Sequence, residues 1–287
     1  MKKLIVLLAV ALTSAACQHQ TPKAVVAKLA TKAAQHPLNQ PLPSLFAAAD
    51  TLDAPMRALV RQHNLATLWQ GNTDERKDDP TLEGFFGPDH YRFAFVFNEV
   101  RRDAQHPELF HVRGKCRYRK NIRPFTGTLT MRAIAILPDS AFQQMMEGDL
   151  GTAPGSVQTY TAKAQLQLRE EKQENSGLFE GEAVLDFYVT ADHHFGYVTS
   201  LVDGVDDTNP TRGGGVLLRG KRRNITTGQV KSFVVAASAV MAAPDVFQDF
   251  AIGDRGDEIN PKYAKLGWNE LWANEEWWHD SAKPPLL

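Results

Sequence analysis

From Tyr91 onward, apolar and polar residues alternate with a period of two. Tyr91, Phe93, Phe95 and Phe97 alternate with Arg92, Ala94, Val96 and Asn98. Phe110, Val112, Gly114, Cys116 and Tyr118 alternate with His111, Arg113, Lys115, Arg117 and Arg119. Such a period sends each set to one face of a strand. Residues 125–136 continue as a long strand. Tyr160, Ala162, Ala164, Leu166 and Leu168 share one face. Phe179, Ala183, Leu185, Phe187 and Val189 oppose Glu180, Glu182, Asp186 and Tyr188. Shorter runs follow at 195–199, 216–222 and 230–236, separated by the turn residues Lys120-Asn121, Asn175-Ser176-Gly177, Asp203-Gly204 and Thr227-Gly228. One apolar and one polar face per strand predicts an antiparallel sheet with one side on the core. About eight such strands in succession predict an up-and-down barrel or a curled meander of the calycin or lipocalin kind, with a β-sandwich as the alternative.

The helical period appears only at the flanks. Residues 44–49 and 55–63 read as short helices; Asp53 is suited to cap the second, Pro55 lies in its first turn, and Met56, Leu59, Val60 and His63 share a face. Residues 71–80 form a charged loop. Beyond residue 245 the chain turns acidic, and Trp268, Leu271, Trp272 and Trp278 fall on one helical face. The organisation expected is a signal peptide at 1–16, a lipidated tether at 17–43, short helices and the charged loop at 44–80, an antiparallel β domain at 81–247, and an acidic, Trp-rich segment packed on it at 248–287.

The N-terminus changes the picture from a generic β protein to an exported one. Lys2 and Lys3 precede an uncharged apolar run, 4–16, that ends on Ser14-Ala15-Ala16 before Cys17. This is the layout of a secretory signal, and the run is too short to cross a membrane as a helix. Small residues followed directly by cysteine resemble the lipobox of bacterial lipoproteins, although Ser14 stands where that family usually has Leu. The resemblance implies palmitate-type acylation of Cys17 and a cell-envelope location, and Gln18 in place of Asp favours the outer membrane. With Cys17 acylated, Cys116 has no partner for a disulfide, and its apolar phase predicts a buried, inert thiol. A net charge of −1 and a pI near 6.8 argue against a nucleic-acid protein.

Candidate chemistry is sparse. Asp192-His193-His194 is the most metal-like cluster, but adjacent strand residues face opposite ways, so a solvated hairpin tip is the better reading. The acids of 249–258 lack the spacing of a calcium loop. Gly213-Gly214-Gly215 lacks the Lys-Ser/Thr of a phosphate loop, and no nucleophile elbow or zinc motif is present. Arg255-Gly256-Asp257 is a chance tripeptide. Arg101, Arg102, Arg117, Arg119, Lys120, Arg123 and the basic residues of 219–223 form a basic set at strand ends.

Three stretches, Arg119-Lys-Asn-Ile-Arg-Pro-Phe-Thr-Gly127, Gly177-Leu-Phe-Glu-Gly181, and Asp249-Phe-Ala-Ile-Gly-Asp254 with Asn260-Pro-Lys-Tyr263 and Gly267-Trp268, resemble uncharacterised exported β-rich lipoproteins of Bacteroidetes. The resemblance implies a β-rich exported domain and points to no particular activity. Asp50-Thr51-Leu52, Asp139-Ser140-Ala141 and Asp280-Ser281-Ala282 likewise resemble glycosylation sites of such proteins. The expected function is a membrane-anchored, non-enzymatic binding or envelope-structural module. One version is a lipocalin-like carrier of a small apolar ligand. Another binds glycans on Trp268, Trp272 and Trp278, and a hydrolase with scattered catalytic residues is the rival. No cofactor or metal is expected.

Overall fold

A computed structural model of the chain describes residues 52–73, 76–137, 140–198, 211, 214–242, 250–252, 258–271 and 276–279. Nine strands of these residues form one antiparallel sheet: β1 (Leu82–Phe86), β2 (Tyr91–Arg102), β3 (Leu109–Tyr118), β4 (Asn121–Ile136), β5 (Val157–Glu170), β6 (Gly177–Thr190), β7 (Phe195–Tyr197), β8 (Val216–Asn224) and β9 (Val230–Ala236). Each strand from β1 to β7 pairs with the next, β8 pairs with β6 and β9, and β9 returns to β1, so the sheet closes into a ring. β7 and β8 share one position, since β7 lies along the end of β6 and β8 along its beginning. Closure leaves the barrel without the two free edges that a sandwich would expose.

The interior is occupied by side chains. Phe93, Phe95, Phe110, Phe125, Phe179, Phe187 and Phe233 all point into one core with Leu129, Leu166, Leu185 and Leu218. Phe95 meets the rings of Phe93, Phe125, Phe179 and Phe233 at centroid distances of 5.0, 5.3, 5.2 and 5.7 Å. Tilted and edge-on contacts of this kind suit the aromatic quadrupole. Where two strands crowd each other the sequence supplies glycine: Gly181 faces Gly220 across β6 and β8, and a β-carbon on either would stand 2.7 Å from the other's Cα.

Two helices cap the end where β2 finishes. In α1 (Ala54–Gln62), Asp53 Oδ1 accepts from Met56 N at 2.8 Å, the N-cap expected from sequence. α2 (Ala66–Gln70) follows directly. Val60, Leu65, Leu68 and Trp69 join the barrel core, and Arg102 Nη1 donates to Val60 O at 2.8 Å. The Tyr197 hydroxyl donates to Leu68 O, fastening α2 to β7.

Outside the barrel, α3 (Ser140–Asp149) covers β5 and β6 through Phe142, Met146, Val157 and Tyr188. A second outer cluster forms where the C-terminal segment crosses β1, β8 and β9: Phe85, Leu217, Val234 and Ala236 receive Phe250, Tyr263 and Trp268. Short elements carry this segment: α4 (Ala239–Ala242), β10 (Ala251–Ile252) paired with β11 (Glu258–Ile259), α5 (Pro261–Ala264), and a 3-10 turn at Trp268–Glu270. Among the described residues Trp268 stands in a 3-10 turn and Trp278 in a separate turn rather than on an α-helix. Gly267, at φ 93, takes the left-handed conformation and turns the chain just before Trp268. Residues 1–51, including the expected signal, the tether and the helix at 44–49, lie outside the described residues.

Candidate functional site

The inward phase of the strands is apolar until the end opposite the helices, where it turns polar. On β5, Leu166 and Leu168 give way to Glu170; on β8, Leu218 and Gly220 to Arg222 and Asn224. On β9, read backwards, Val235 and Phe233 give way to Lys231, and on β4 Arg123 precedes Phe125. The polar residues Arg123, Glu170, Arg222, Asn224 and Lys231, with Phe86, Phe93, Cys116, Tyr118, Asn121, Asn175 and Gln229, line a pocket of about 240 Å³ at the mouth of the barrel.

One ion cluster organises this mouth. Glu170 is 3% exposed and receives Arg222 in a two-pronged bond, Nε at 2.8 Å and Nη2 at 2.7 Å. Gly177 N donates to the same carboxylate at 2.8 Å, and Arg123 Nη1 approaches at 3.5 Å. A carboxylate in this environment is stable only because charge-assisted bonds replace its water. Arg222 Nη2 also donates to Asn175 O at 2.6 Å, and Arg123 Nη1 to Glu174 O at 3.0 Å. Asn224 Oδ1 accepts from Thr226 N and Thr227 N, which folds the β8–β9 turn over the rim.

The pocket lining holds three cations, Arg123, Arg222 and Lys231, against one carboxylate, Glu170. The carboxylate is directed at the two arginines. Among the described residues Lys231 has no carboxylate partner; its ammonium lies 5.5 Å from the centre of the Phe86 ring. Phe86, Phe93 and Tyr118 form an aromatic floor, with Phe86 and Tyr118 at a centroid distance of 4.8 Å. Arg119 extends the positive field outward, 4.3 Å from the Tyr91 ring and 5.3 Å from that of Tyr118. Burial raises the Tyr118 hydroxyl above its ordinary value, opposed by the charge of Arg119. Burial, with the adjacent Glu170 charge, holds the Cys116 thiol well above its usual range. It faces the Glu170 carboxylate at 3.8 Å as a protonated group.

The basic set read from the sequence divides between the two ends. Arg123 and Arg222 enter the mouth and Arg119 stands beside it, whereas Arg101 and Arg102 lie at the capped end with Arg61. Arg219 faces outward and pairs with Glu182 at 3.2 Å. Glu170 and Lys231 carry the site, and no motif marks them. Their signal is a charged residue on the apolar phase, one step beyond where the apolar alternation stops.

Trp268 is fully buried, so it presents no ring to a glycan. Its indole packs on Phe85 at 5.0 Å and Phe250 at 5.1 Å, and its Nε1 donates to His90 O at 3.1 Å. Trp278 is half-buried, its carbonyl held by Lys115 Nζ at 3.0 Å and Asn98 Nδ2 at 3.2 Å. Cys17 and Trp272 lie outside the described residues, as do most of the acids of 249–258, the Arg255–Asp257 tripeptide and Gly213. Asp192-His193-His194 forms the exposed β6–β7 turn, with His193 at φ 69 and Asp192 accepting from the Thr190 hydroxyl. No helix of the described residues is long and apolar enough to cross a membrane. No protein family, curated protein or solved structure matches this chain.

Proposed function

We propose that the protein is an envelope lipoprotein, anchored through Cys17, whose barrel works as a non-enzymatic binding module with its ligand site at the mouth. The observation that carries this reading is the solvent-open pocket where the apolar interior gives way to Arg123, Glu170, Arg222 and Lys231. The carrier expected from the sequence is thereby narrowed. The barrel interior is filled with phenylalanine and leucine, so the ligand is held at the end rather than swallowed. Ligand pockets usually measure about 300–1,000 Å³, so a pocket of about 240 Å³ suits a small molecule rather than a lipid with full acyl chains.

Binding fits the mouth better than catalysis does. A general base needs a carboxylate free to take a proton, and Glu170 is saturated by Arg222 and Gly177. A nucleophilic thiol needs a lowered pKa, and that of Cys116 is raised. The signal-like N-terminus and the Bacteroidetes-type stretches support export and anchoring, with the outer membrane favoured by Gln18.

Two measurements test this reading. Palmitate labelling of cells should mark the parent and not Cys17→Ala; equal label in both removes the anchor. Gln229→Trp places a bulky ring on the exposed rim of the pocket. Native mass spectrometry of protein purified from cell envelopes should show a small molecule retained by the parent and lost in Gln229→Trp. Identical bare spectra for both would remove the mouth as a binding site.

A further inference from the structure

We infer that the mouth selects a small organic anion: a single carboxylate or phosphate head on a compact apolar body, such as one ring. The inference rests on the mouth being the binding site, and it names what the site takes. Three features of the geometry lead there.

The first is the charge balance. Three cations and one carboxylate line the pocket, and that carboxylate is committed to Arg222 and Arg123. Among the described residues the Lys231 ammonium has no carboxylate partner and lies over the Phe86 ring. Held at the rim of a low-dielectric barrel, it attracts an anion more strongly than a surface lysine does. Glu170 fixes the two guanidinium groups in place, so the cations are arranged before the ligand arrives.

The second is the floor. Phe86 and Phe93 are 5% and 1% exposed, and they close the pocket from below with Tyr118. Little of those two rings is in water, so the aromatic surface left for a ligand to cover is that of the half-buried Tyr118. A ligand with a flat apolar body covers it and gains roughly 25 cal/mol for each Å² of apolar surface removed from water.

The third is size. A water molecule in the liquid takes about 30 Å³, so a space of about 240 Å³ holds a ring and one head group and little else. A polymeric anion gains little from it, because among the described residues only one cation of the lining lacks a carboxylate partner.

Calorimetric titration of the full-length protein in detergent separates the possibilities. The probes are benzoate, phenyl phosphate, benzyl alcohol and inorganic phosphate. Benzoate or phenyl phosphate should bind at least about tenfold more tightly than benzyl alcohol, since a charge-assisted bond is lost in the alcohol. Inorganic phosphate should bind more weakly than phenyl phosphate. Lys231→Met keeps an aliphatic stem on Phe86 and should weaken benzoate about tenfold while leaving the melting temperature near that of the parent. Benzyl alcohol binding as well as benzoate, and lost in Gln229→Trp, would overturn the anion and leave the mouth as a site. Inorganic phosphate binding as tightly as phenyl phosphate would overturn the apolar body. Heat from none of the four probes would overturn the inference, and bare spectra in the envelope experiment would then remove the mouth itself.

Discussion

Arg222 lies so close over Gly177 that a β-carbon on the glycine would stand 2.6 Å from the guanidinium Cζ and 2.6 Å from Nε. Glycine here supplies room rather than conformational freedom. The left-handed residue of this turn is Asn175, at φ 60, not Gly177. The room matters because Arg222 must lie flat to reach Glu170 with two nitrogens and Asn175 O with one of them.

Gly177→Ala should therefore displace Arg222 and loosen the whole mouth cluster. Overpacking of this kind costs about 1–3 kcal/mol. The guanidinium sits at the end of a flexible side chain, which argues for the lower half of that range. Urea unfolding monitored by tryptophan fluorescence measures it. An unchanged midpoint would mean that Arg222 finds an equivalent seat elsewhere, and that the two-pronged bond adds nothing to stability.

Cys116 sits 2% exposed beneath the same cluster, with its thiol pKa raised by burial and by Glu170. Only the thiolate reacts readily. In the Cys17→Ala protein, a thiol reagent should modify Cys116 slowly under native conditions and at once in denaturant. Rapid native labelling would show that the mouth opens far more often than the packing of Phe93 and Tyr118 allows.

At the other end of the barrel, His63 is buried beside Phe195 and His193, with ring centroids at 5.6 and 5.9 Å. Burial first, and the His193 ring second, lower its pKa below the ordinary 6.5. Between the lowered folded value and 6.5 the unfolded chain binds more protons than the folded one. Stability then rises with pH through this window and is lost as pH falls below 6.5. The melting temperature should drop on acidification from pH 7.5 to 5.5, and His63→Phe should flatten that drop. Equal slopes for the two proteins would place the titrating group elsewhere.

The sequence displayed the barrel more clearly than it displayed the site. Alternation from Phe93 to Phe97 and from Phe179 to Val189 sets the strand faces directly, because a period of two has only two phases. β1 does not show in the alternation because Leu82–Phe86 is five residues long and Gly84 reads as a turn, whereas the structure uses that glycine for close approach to β9. Ala94 and Val96 lie on the outer phase of β2 yet are buried at 2% and 1%. The mouth was harder to foresee. Glu170 and Lys231 are far apart in sequence, and only ring closure brings β5, β6, β8 and β9 around one opening. A charge on the apolar phase was the available sign, and at a strand end it looks the same as a simple return to solvent.

The outer face offers the sharpest test of the C-terminal segment. Trp268 is fully buried against Phe85 of β1, its Nε1 bonded to His90 O in the turn that follows that strand, while Arg92 N donates to Leu266 O at 2.9 Å and Arg117 pairs with Glu270 at 3.2 Å. These contacts differ in weight. An ion pair near the surface contributes about 0–1 kcal/mol, whereas cutting a buried Trp to Ala costs about 3–5 kcal/mol. Trp268→Ala should thus destabilise the protein severely, and Glu270→Gln hardly at all. Phe85→Ala empties the other side of the same contact, so the double variant should lose less than the two single losses added together, by about 0.5–3 kcal/mol. Simple additivity would mean that the two rings are stabilised by different neighbours. A small loss in Trp268→Ala would mean that the segment leaves the barrel at little cost, and that the apolar surface of Phe85, Leu217 and Val234 is then open to another partner.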